Sequence, residues 1–360
     1  SNVSVGTYAL NANTTAANNT AVGYSALTAN TTGTGNTALG TSSLQTTITG
    51  GYNTAVGMLA LRDTTAADNT AIGYAALQNT SSGANNVAVG GNALIANTTA
   101  SNNTAVGYLA LTANTTGASN TAVGTSALKA NTTANNNTAV GGAALFSNTT
   151  GVENTALGLN TLYTATTGSY NTALGSQALT SVTTGANNTA VGRAALLANT
   201  TGATNVAIGY NAGDAITTGP NNTIIGSATA ASLTTGIGCA IVGHANNVSS
   251  AAGNYAMALG YNLDCAAGYT TLGANSSDIR AVHGNITWAA VSDERYKKDI
   301  VDSEAGLSLI NALRPRTFKY KTLGELPETF TAYEEGSTEV FKNTQTNHGF
   351  IAQEVKAAID

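Results

Sequence analysis

The chain has 360 residues, a formal net charge of −5 and two cysteines, and 9% of its residues are charged. A charge-poor, weakly acidic chain lacks the basic surface that binds nucleic acid or an anionic membrane, and two isolated cysteines make neither a disulfide framework nor a metal site. No apolar run approaches the ~18 residues of a membrane-spanning helix. Residues 1–290 carry four basic and six acidic side chains, whereas residues 291–360 carry nine and twelve, so we expect a domain boundary near residue 291.

A glycine preceded by a small aliphatic residue recurs every 17 residues, with one interval of 16 between Gly57 and Gly73. These coil glycines are Gly6, Gly23, Gly40, Gly57, Gly73, Gly90, Gly107, Gly124, Gly141, Gly158, Gly175, Gly192, Gly209, Gly226, Gly243 and Gly260. A fixed, short period indicates a stack of repeated units rather than one globular core. The strict return of apolar residues argues against disorder, the competing interpretation of Asn-, Thr- and Gly-rich sequence.

Each repeat has the same residue order around its glycine. Asn usually lies four residues before it, Thr three before, Ala two before, Val, Ile or Leu one before, and Leu four after. The Asn-Thr-Ala-Val-Gly stretch alternates as a strand does, with Thr and Val on one face and Ala on the other. We predict an all-β parallel β-roll, or β-solenoid, of about sixteen 17-residue coils over residues 1–273, with two short strands and two bends per coil. Each strand would pair with its copy in the next coil at ~4.8 Å.

The repeat also predicts what lies inside the coil. We expect the Val/Ile/Leu row to form the interior, the Leu row to form a second apolar ridge, and the Asn row to form a ladder of amide hydrogen bonds. The Ala row would form a smooth outer face, and because such coils bury few large residues, we expect three chains to pack together and cover it. The 16-residue interval places a missing residue between Leu61 and the Thr64-Thr65 turn, which predicts a surface loop there.

The remaining polar and sulfur-containing residues receive structural interpretations. Asn-X-Thr sequons occur in nearly every repeat, and we expect them to serve ladders and turns rather than glycosylation. Cys239 and Cys265 are expected to be small, buried thiols. Residues 274–291, which contain Trp288 and His283, are predicted to form a tapering neck or cap, with Trp288 as a packing plug.

The Asn-Thr-Ala-Val-Gly units of residues 1–273 resemble the left-handed parallel β-roll of trimeric autotransporter adhesin heads, and related repeats in phage and viral fibre proteins. The resemblance implies a homotrimer with an attachment role and leaves the receptor unidentified. The adhesin repeats are usually shorter than 17 residues, so the coil shape here can differ from theirs.

The last 70 residues have a different pattern, which predicts a small α+β segment. A helix is expected after Asp302 or Ser303 up to Arg314-Pro315, then a strand at 317–320, an acidic loop over 321–347, and a strand turning into a helix at 348–355. The signature residues of this segment are Ser292-Asp293, Arg295, Lys297-Lys298, Ile300, Leu313-Arg314-Pro315, Phe318 and the Gly-Phe-Ile-Ala-Gln block at 349–353. They closely resemble the C-terminal intramolecular chaperone of endosialidases and many phage tail fibres, a self-cleaving peptidase family.

That resemblance implies that residues 292–360 trimerise the chain, help it to fold and are then released by cleavage between Val291 and Ser292. Ser292 would be the nucleophile and Lys297 the base, since a serine hydroxyl needs a base and a desolvated lysine can serve. The family's domain normally continues beyond the Ala-Gln block, so the sequence predicts a partial chaperone, in which cleavage can be impaired. No other catalysis, cofactor or metal is expected.

The sequence therefore predicts a homotrimeric attachment fibre of a phage or other virus, located on the virion, that binds a host-surface receptor (glycan or protein) and a neighbouring virion protein. The alternative is an extracellular bacterial adhesin head, which requires a signal peptide and a membrane anchor. A glycan-degrading tailspike is less favoured because Asp63, Asp68, Glu153 and Asp214 are scattered. Ice binding is less favoured because the threonines mostly come as adjacent pairs at turns.

Overall fold

The structure, a computed structural model, describes residues 1–284, 289–290, 316–328, 332–342 and 344–349. The chain divides into two compact units, Ser1–Val291 and Ser292–Asp360. The predicted nucleophile Ser292, its base Lys297 and the packing residue Trp288 lie outside the described residues.

The first unit is a parallel β-solenoid with one three-residue strand in each of its first fourteen coils. These strands are β1 (Val3–Val5), β2 (Thr20–Val22), β3 (Thr37–Leu39), β4 (Thr54–Val56), β5 (Thr70–Ile72), β6 (Val87–Val89), β7 (Thr104–Val106), β8 (Thr121–Val123), β9 (Thr138–Val140), β10 (Thr155–Leu157), β11 (Thr172–Leu174), β12 (Thr189–Val191), β13 (Val206–Ile208) and β14 (Thr223–Ile225). Each strand pairs in parallel with its copy one coil on, for example Ala105 with Ala122. This confirms the predicted all-β solenoid of about sixteen coils.

Longer strands follow towards the end of the stack. They are β15 (Ala240–His244), β17 (Met257–Tyr261) and β19 (Tyr269–Ala274), which continue the parallel sheet, while β16 (Asn247–Val248) pairs in parallel with β18 (Asp264–Cys265). The expectation of two strands in every coil was therefore wrong for most coils. The second half of a coil is a chain of turns, because residues two and four after the coil glycine have left-handed backbones, as at Ser25 (φ 55°) and Leu27 (φ 49°). A strand cannot contain such residues.

The interior of the solenoid is lined by the Ala row and the Leu row, which corrects the prediction that the Val/Ile/Leu row lies inside. Ala105 and Ala122 are completely buried, as is Leu111, whereas Leu39 and Leu157 are 47% and 43% exposed. The two left-handed residues after each glycine turn the chain back over the strand, and the Leu side chain then packs on the Ala side. Each buried Leu contributes about 1.5–3 kcal/mol of hydrophobic stabilisation.

The Asn row forms the predicted amide ladder inside the solenoid. Asn120 is completely buried. Its Nδ2 donates to the Ala134 carbonyl at 2.8 Å and to Asn103 Oδ1 at 3.2 Å, and its Oδ1 accepts the backbone N–H of Asn137 at 3.0 Å. Each amide therefore satisfies backbone groups of neighbouring coils that water cannot reach.

A second internal column lies seven residues after each coil glycine, and sequence reasoning had assigned these residues to the turn. Its members are Asn13, Asn30, Thr47, Thr64, Thr80, Asn97, Asn114, Asn131, Asn148, Ala165, Val182, Asn199, Ile216 and Leu233. Asn114 donates to Asn97 Oδ1 at 3.0 Å and to the Gly117 carbonyl at 2.9 Å. Because the asparagines in the middle of this column are buried, the Asn-Thr-Thr sequons they begin serve internal ladders, as predicted.

The 16-residue coil shows where one residue can be lost. Thr64 is buried in the second internal column, and the Thr65 N–H donates to the Ser81 carbonyl just as the Thr31 N–H donates to Ile48. The missing residue therefore falls after Thr65, within 65–68, and not between Leu61 and Thr64 as predicted. These four residues are exposed or half-buried, so the expected surface loop is present one turn later.

The parallel stack ends in antiparallel strands. Strand β20 (Ser277–Val282) pairs with β19, and β21 (Ala289–Ala290) pairs with β20. The Asp278 carboxylate is buried and accepts a hydrogen bond from Arg280 Nε at 2.9 Å. His283 lies next to this end, with Nε2 3.2 Å from Thr270 Oγ1. The backbone of the last coil is thus paired by the antiparallel strand β20 instead of by a further coil.

In the second unit, β22 (Arg316–Phe318) pairs antiparallel with β23 (Asn347–Gly349). Between them, Leu323–Glu325 form a 3-10 helix, and Thr322 bridges Val340. Both strands lie close to the predicted positions 317–320 and 348 onward. The two predicted helices of this unit lie outside the described residues.

Both thiols are buried and free, as predicted. Cys239 replaces an asparagine of the ladder and keeps two of its bonds, because its Sγ donates to the Gly253 carbonyl at 3.0 Å and its N–H donates to Asn222 Oδ1. Cys265 is completely buried, and Thr271 Oγ1 donates to its sulfur at 3.3 Å.

Burial raises the pKa of the thiols of Cys239 and Cys265, so the folded state favours their protonated form. The stabilisation is fully present below the pKa of an unfolded thiol, about 8.5, and is lost as pH rises through the higher folded-state pKa. We expect the melting temperature of the wild type to fall more steeply with alkaline pH than that of Cys239→Ala/Cys265→Ala. Parallel pH profiles of the two proteins would contradict this.

Candidate functional site: the outward face of the sheet

The outward face of the parallel sheet is made of two columns of side chains. They are the first and third residues of each three-residue strand and the equivalent residues of β15, β17 and β19. The threonine column is Val3, Thr20, Thr37, Thr54, Thr70, Val87, Thr104, Thr121, Thr138, Thr155, Thr172, Thr189, Val206, Thr223, Ala240, Met257 and Thr270. The valine column is Val5, Val22, Leu39, Val56, Ile72, Val89, Val106, Val123, Val140, Leu157, Leu174, Val191, Ile208, Ile225, Val242, Leu259 and Leu272. We call the two columns together the Thr/Val face.

The Thr/Val face is exposed and uncharged. Its side chains are half-buried or exposed in every coil, and Val5 and Leu259 reach 57% exposure. No member of either column is ionisable over residues 3–272. The valine column is a continuous apolar strip within this face, and an exposed apolar strip of this length is typical of an interaction surface.

Exposed tyrosines border the Thr/Val face on both sides. One set directly follows the coil glycine and consists of Tyr24, Tyr74, Tyr108, Tyr210 and Tyr261. The other set directly precedes the ladder position, which is asparagine after Tyr52 and Tyr170 and Ala256 after Tyr255. Arg193 packs over the Tyr210 ring at 5.6 Å, and His244 stacks on Tyr261 at 5.5 Å. Large amphipathic side chains at the rim of an apolar strip suit a protein interface.

The turn threonines form two further columns, eight and nine residues after each coil glycine, that differ in environment. Thr115 is half-buried and its Oγ1 donates to the Thr132 carbonyl of the next coil at 3.1 Å, whereas Thr116 is exposed. The turn threonines therefore point in different directions, as the sequence predicted. The threonine column of the sheet was predicted to share a face with the valines, but sequence reasoning placed the valines in the interior and so did not identify the column as an exposed array.

The signal that could have identified the Thr/Val face was present in the repeat. Alanine occupies its row without exception from Ala21 to Ala207, while the Val/Ile/Leu row varies in size. A tightly packed interior tolerates little variation in volume. The buried asparagines are also two residues from the alanines, and thus on the same face of the strand.

The acidic residues Asp63 and Asp214 of the shaft lie far apart and do not form one site. Arg62 Nε binds the Asp63 carboxylate at 2.9 Å. Burial is the main cause that raises the pKa of Asp214, which lies nine coils further on. Within the described residues, no group of three or more His, Cys, Asp or Glu side chains is placed to hold a metal ion, and no helix is long and apolar enough to span a membrane.

Comparison with known proteins yields a family match in the C-terminal unit. Residues 292–360 match the family model described as chaperone of endosialidase. The match covers the segment on which the resemblance to endosialidase chaperones was based. Neither the curated proteins nor the solved structures yield a match to the chain. A β-solenoid followed by a segment that matches this family model fits a tail-fibre-like protein with a chaperone domain.

Proposed function

We propose that the chain is the shaft of a homotrimeric virion fibre whose three copies pack through their Thr/Val faces. The observation that carries this proposal is the uncharged, exposed face that runs through seventeen strands. Strands about 10 Å long at ~4.8 Å spacing give a face of roughly 800 Å² per chain, which equals one side of a standard protein interface. The surface to be covered is thus the Thr/Val face and not the Ala row, which lies inside.

Threefold packing suits this face because every coil presents the same pair of side chains. Three parallel chains then place equivalent residues around one axis. The assembly is a closed ring, in which every chain contacts both of the others and no contact surface is left unpaired. The match of residues 292–360 to the endosialidase chaperones supports a trimer, since that resemblance implies a chaperone that trimerises fibres. In this arrangement the shaft is a stiff element that carries the fibre towards a host-surface receptor and joins a neighbouring virion protein.

We expect Leu157→Arg to convert the trimer into monomers, because three guanidinium groups would meet at the axis without partners. Leu157 is 43% exposed in the single chain, so each coil can still fold around the arginine. The control is Thr167→Arg, which places the same charge on an exposed turn. Light scattering after size-exclusion chromatography would measure the mass of both variants.

A trimeric Leu157→Arg variant would rule out this interface. A monomeric wild type would favour a second function, for which the ordered Thr and Val columns are the specific observation. A flat, regular array of hydroxyl and methyl groups is the kind of surface that binds ice. Thermal hysteresis of the monomer, and its loss in Leu157→Arg, would then be the appropriate measurement.

The second part of the proposal concerns processing. Ser292 and Lys297 act as the nucleophile and the base that cleave the Val291–Ser292 bond, and this assignment rests on the resemblance of residues 292–360 to the chaperone family. Ser292 Oγ attacks the Val291 carbonyl, the Ser292 nitrogen leaves with a proton, and water hydrolyses the resulting ester.

We expect the full-length chain to release a fragment comprising residues 292–360, and Ser292→Ala and Lys297→Met to prevent this. Lys298→Met is the matched control, because it removes a neighbouring charge and leaves the proposed dyad intact. Intact-mass spectrometry would identify the fragment. Cleavage of Ser292→Ala at the same bond would exclude Ser292 as the nucleophile.

A further inference from the structure

The repeating part of the Thr/Val face cannot by itself define how three chains align along the axis. From β2 to β14, almost every strand presents Thr or Val beside Val, Ile or Leu. If one chain slides by one coil, about 4.8 Å, nearly every side chain meets an equivalent neighbour. Such a slip loses one of seventeen layers of contact, so the repeats discriminate poorly between registers.

The end of the face nearest to the antiparallel strands is different. Here Ala240 and Met257 replace threonine, and Val242, Leu259 and Leu272 continue the valine column. We call these five residues the terminal patch. They line most of an apolar depression of about 230 Å³, whose remaining lining includes Thr270.

The terminal patch is exposed although it is apolar. Met257 is 43% exposed and Leu259 is 57% exposed. The apolar strip continues into β20, where Ile279, the partner of Leu272 in the sheet, is 45% exposed. At this end of the Thr/Val face, large apolar side chains thus adjoin a depression that other apolar side chains can fill.

A second copy of this chain is the occupant that the patch fits best. The patch belongs to the same two columns as the face proposed to join the copies, and no charged side chain lines it. In a threefold arrangement the Met257 and Leu259 side chains of one copy would fill the depressions of its neighbours. A slip by one coil would place Met257 beside Ala240 or Thr270 of the neighbouring copy instead of beside its equivalent. The depressions would then be filled less completely, which costs both hydrophobic burial and packing.

We propose that the terminal patch sets the axial register of the trimer. This inference rests on the proposed trimeric shaft. The patch makes one alignment of the chains more stable than its slipped alternatives, and the uniform coils then add contact area without choosing a register.

The register can be read by cross-linking across the axis. Two full-length chains with different tags are coexpressed, one carrying Thr121→Cys and the other Thr138→Cys, which lie one coil apart in the threonine column. Oxidation joins cysteines only when their Cα atoms lie within about 4.4–6.8 Å, so a mixed 121–138 disulfide reports a slip of one coil. Both native thiols are buried, which keeps them out of this reaction.

The test compares Met257→Thr/Leu259→Thr with Val206→Thr/Ile208→Thr, which makes equivalent changes at the same two columns within the repeats. We expect the mixed disulfide to rise several-fold in the first pair and to stay at the wild-type level in the second. All four side chains lie on the outer face and are exposed or half-buried. Each coil can therefore fold with threonine at these positions.

Several outcomes separate this inference from the proposed function. If both variants are trimers that keep the wild-type register, or if both slip equally, the terminal patch does not set the register although the trimer stands. If the first variant alone becomes monomeric, the patch is the main contact between chains, which supports the inference. A monomeric wild type would overturn the trimeric shaft, and the inference with it.

Discussion

Replacing Gly90 by alanine is expected to destabilise the solenoid by about 3–5 kcal/mol, the sum of a backbone strain term and a term for a forced contact. Gly90 has φ 130°, a conformation that residues with a Cβ rarely adopt. A Cβ at this position would lie 2.6 Å from the Gly107 carbonyl oxygen of the next coil. That oxygen belongs to the backbone of the stack, so it cannot move aside without separating two coils.

The neighbouring residue provides a matched control. Gly91 lies outside the left-handed region, and a Cβ there would meet only the Tyr108 ring at 3.4 Å, which is ordinary contact. Gly91→Ala should therefore change the free energy of unfolding by less than about 1 kcal/mol. Urea denaturation of both variants would measure the difference. Equal losses at Gly90 and Gly91 would show that the coil glycine is not required by the close approach of the coils.

The second large effect concerns two buried asparagines that should respond with opposite signs to the same substitution. Asn120→Val removes the acceptor of the Asn137 backbone N–H and two hydrogen bonds donated by the amide. A buried N–H without a partner costs about 1–3 kcal/mol, and with the lost bonds we expect a total of about 2–4 kcal/mol. Strand β8 begins at the next residue, so the loss should also weaken the pairing of two coils.

Asn199 differs because its neighbours in the second internal column are Val182 and Ile216, and all three are completely buried. In the described structure, neither Nδ2 nor Oδ1 of Asn199 makes a hydrogen bond. Asn199→Val removes two unsatisfied polar atoms and continues an apolar column, so it should stabilise the chain by about 1 kcal/mol or more. Thermal unfolding of both variants tests the pair, and a loss of stability in Asn199→Val would contradict the assignment.

The burial of the Ala row explains why the candidate site was only partly predictable from the sequence. The strand pattern correctly separated Thr and Val from Ala, but alternation defines two faces without saying which one is inside. Hydrophobicity favoured the Val/Ile/Leu row for the interior, and that choice was wrong. In the structure the interior is narrow, and one alanine and one leucine per coil fill it. The larger Val/Ile/Leu row lies on the outer face, where it can contact another chain.

The self-cleavage residues illustrate a different limit. Ser292 and Lys297 were identified through a resemblance, and no spacing argument would separate them from a helix cap and a solvated lysine. Their assignment stays a prediction, because both lie outside the described residues. The variants at Ser292, Lys297 and Lys298 are therefore the direct test of that part of the proposal.

The sequence by itself determined the length and number of the coils, their parallel stacking and the position of the amide ladder. These follow from the period, because identical residues that recur at a constant interval can all make the same contacts only when they are stacked. Tertiary structure alone decided which face of the strand is buried, that most coils have a single strand, and where the short coil loses its residue. The physical reason is the pair of left-handed residues after each coil glycine, which folds leucine over alanine, and no periodicity in the sequence specifies the direction of that fold.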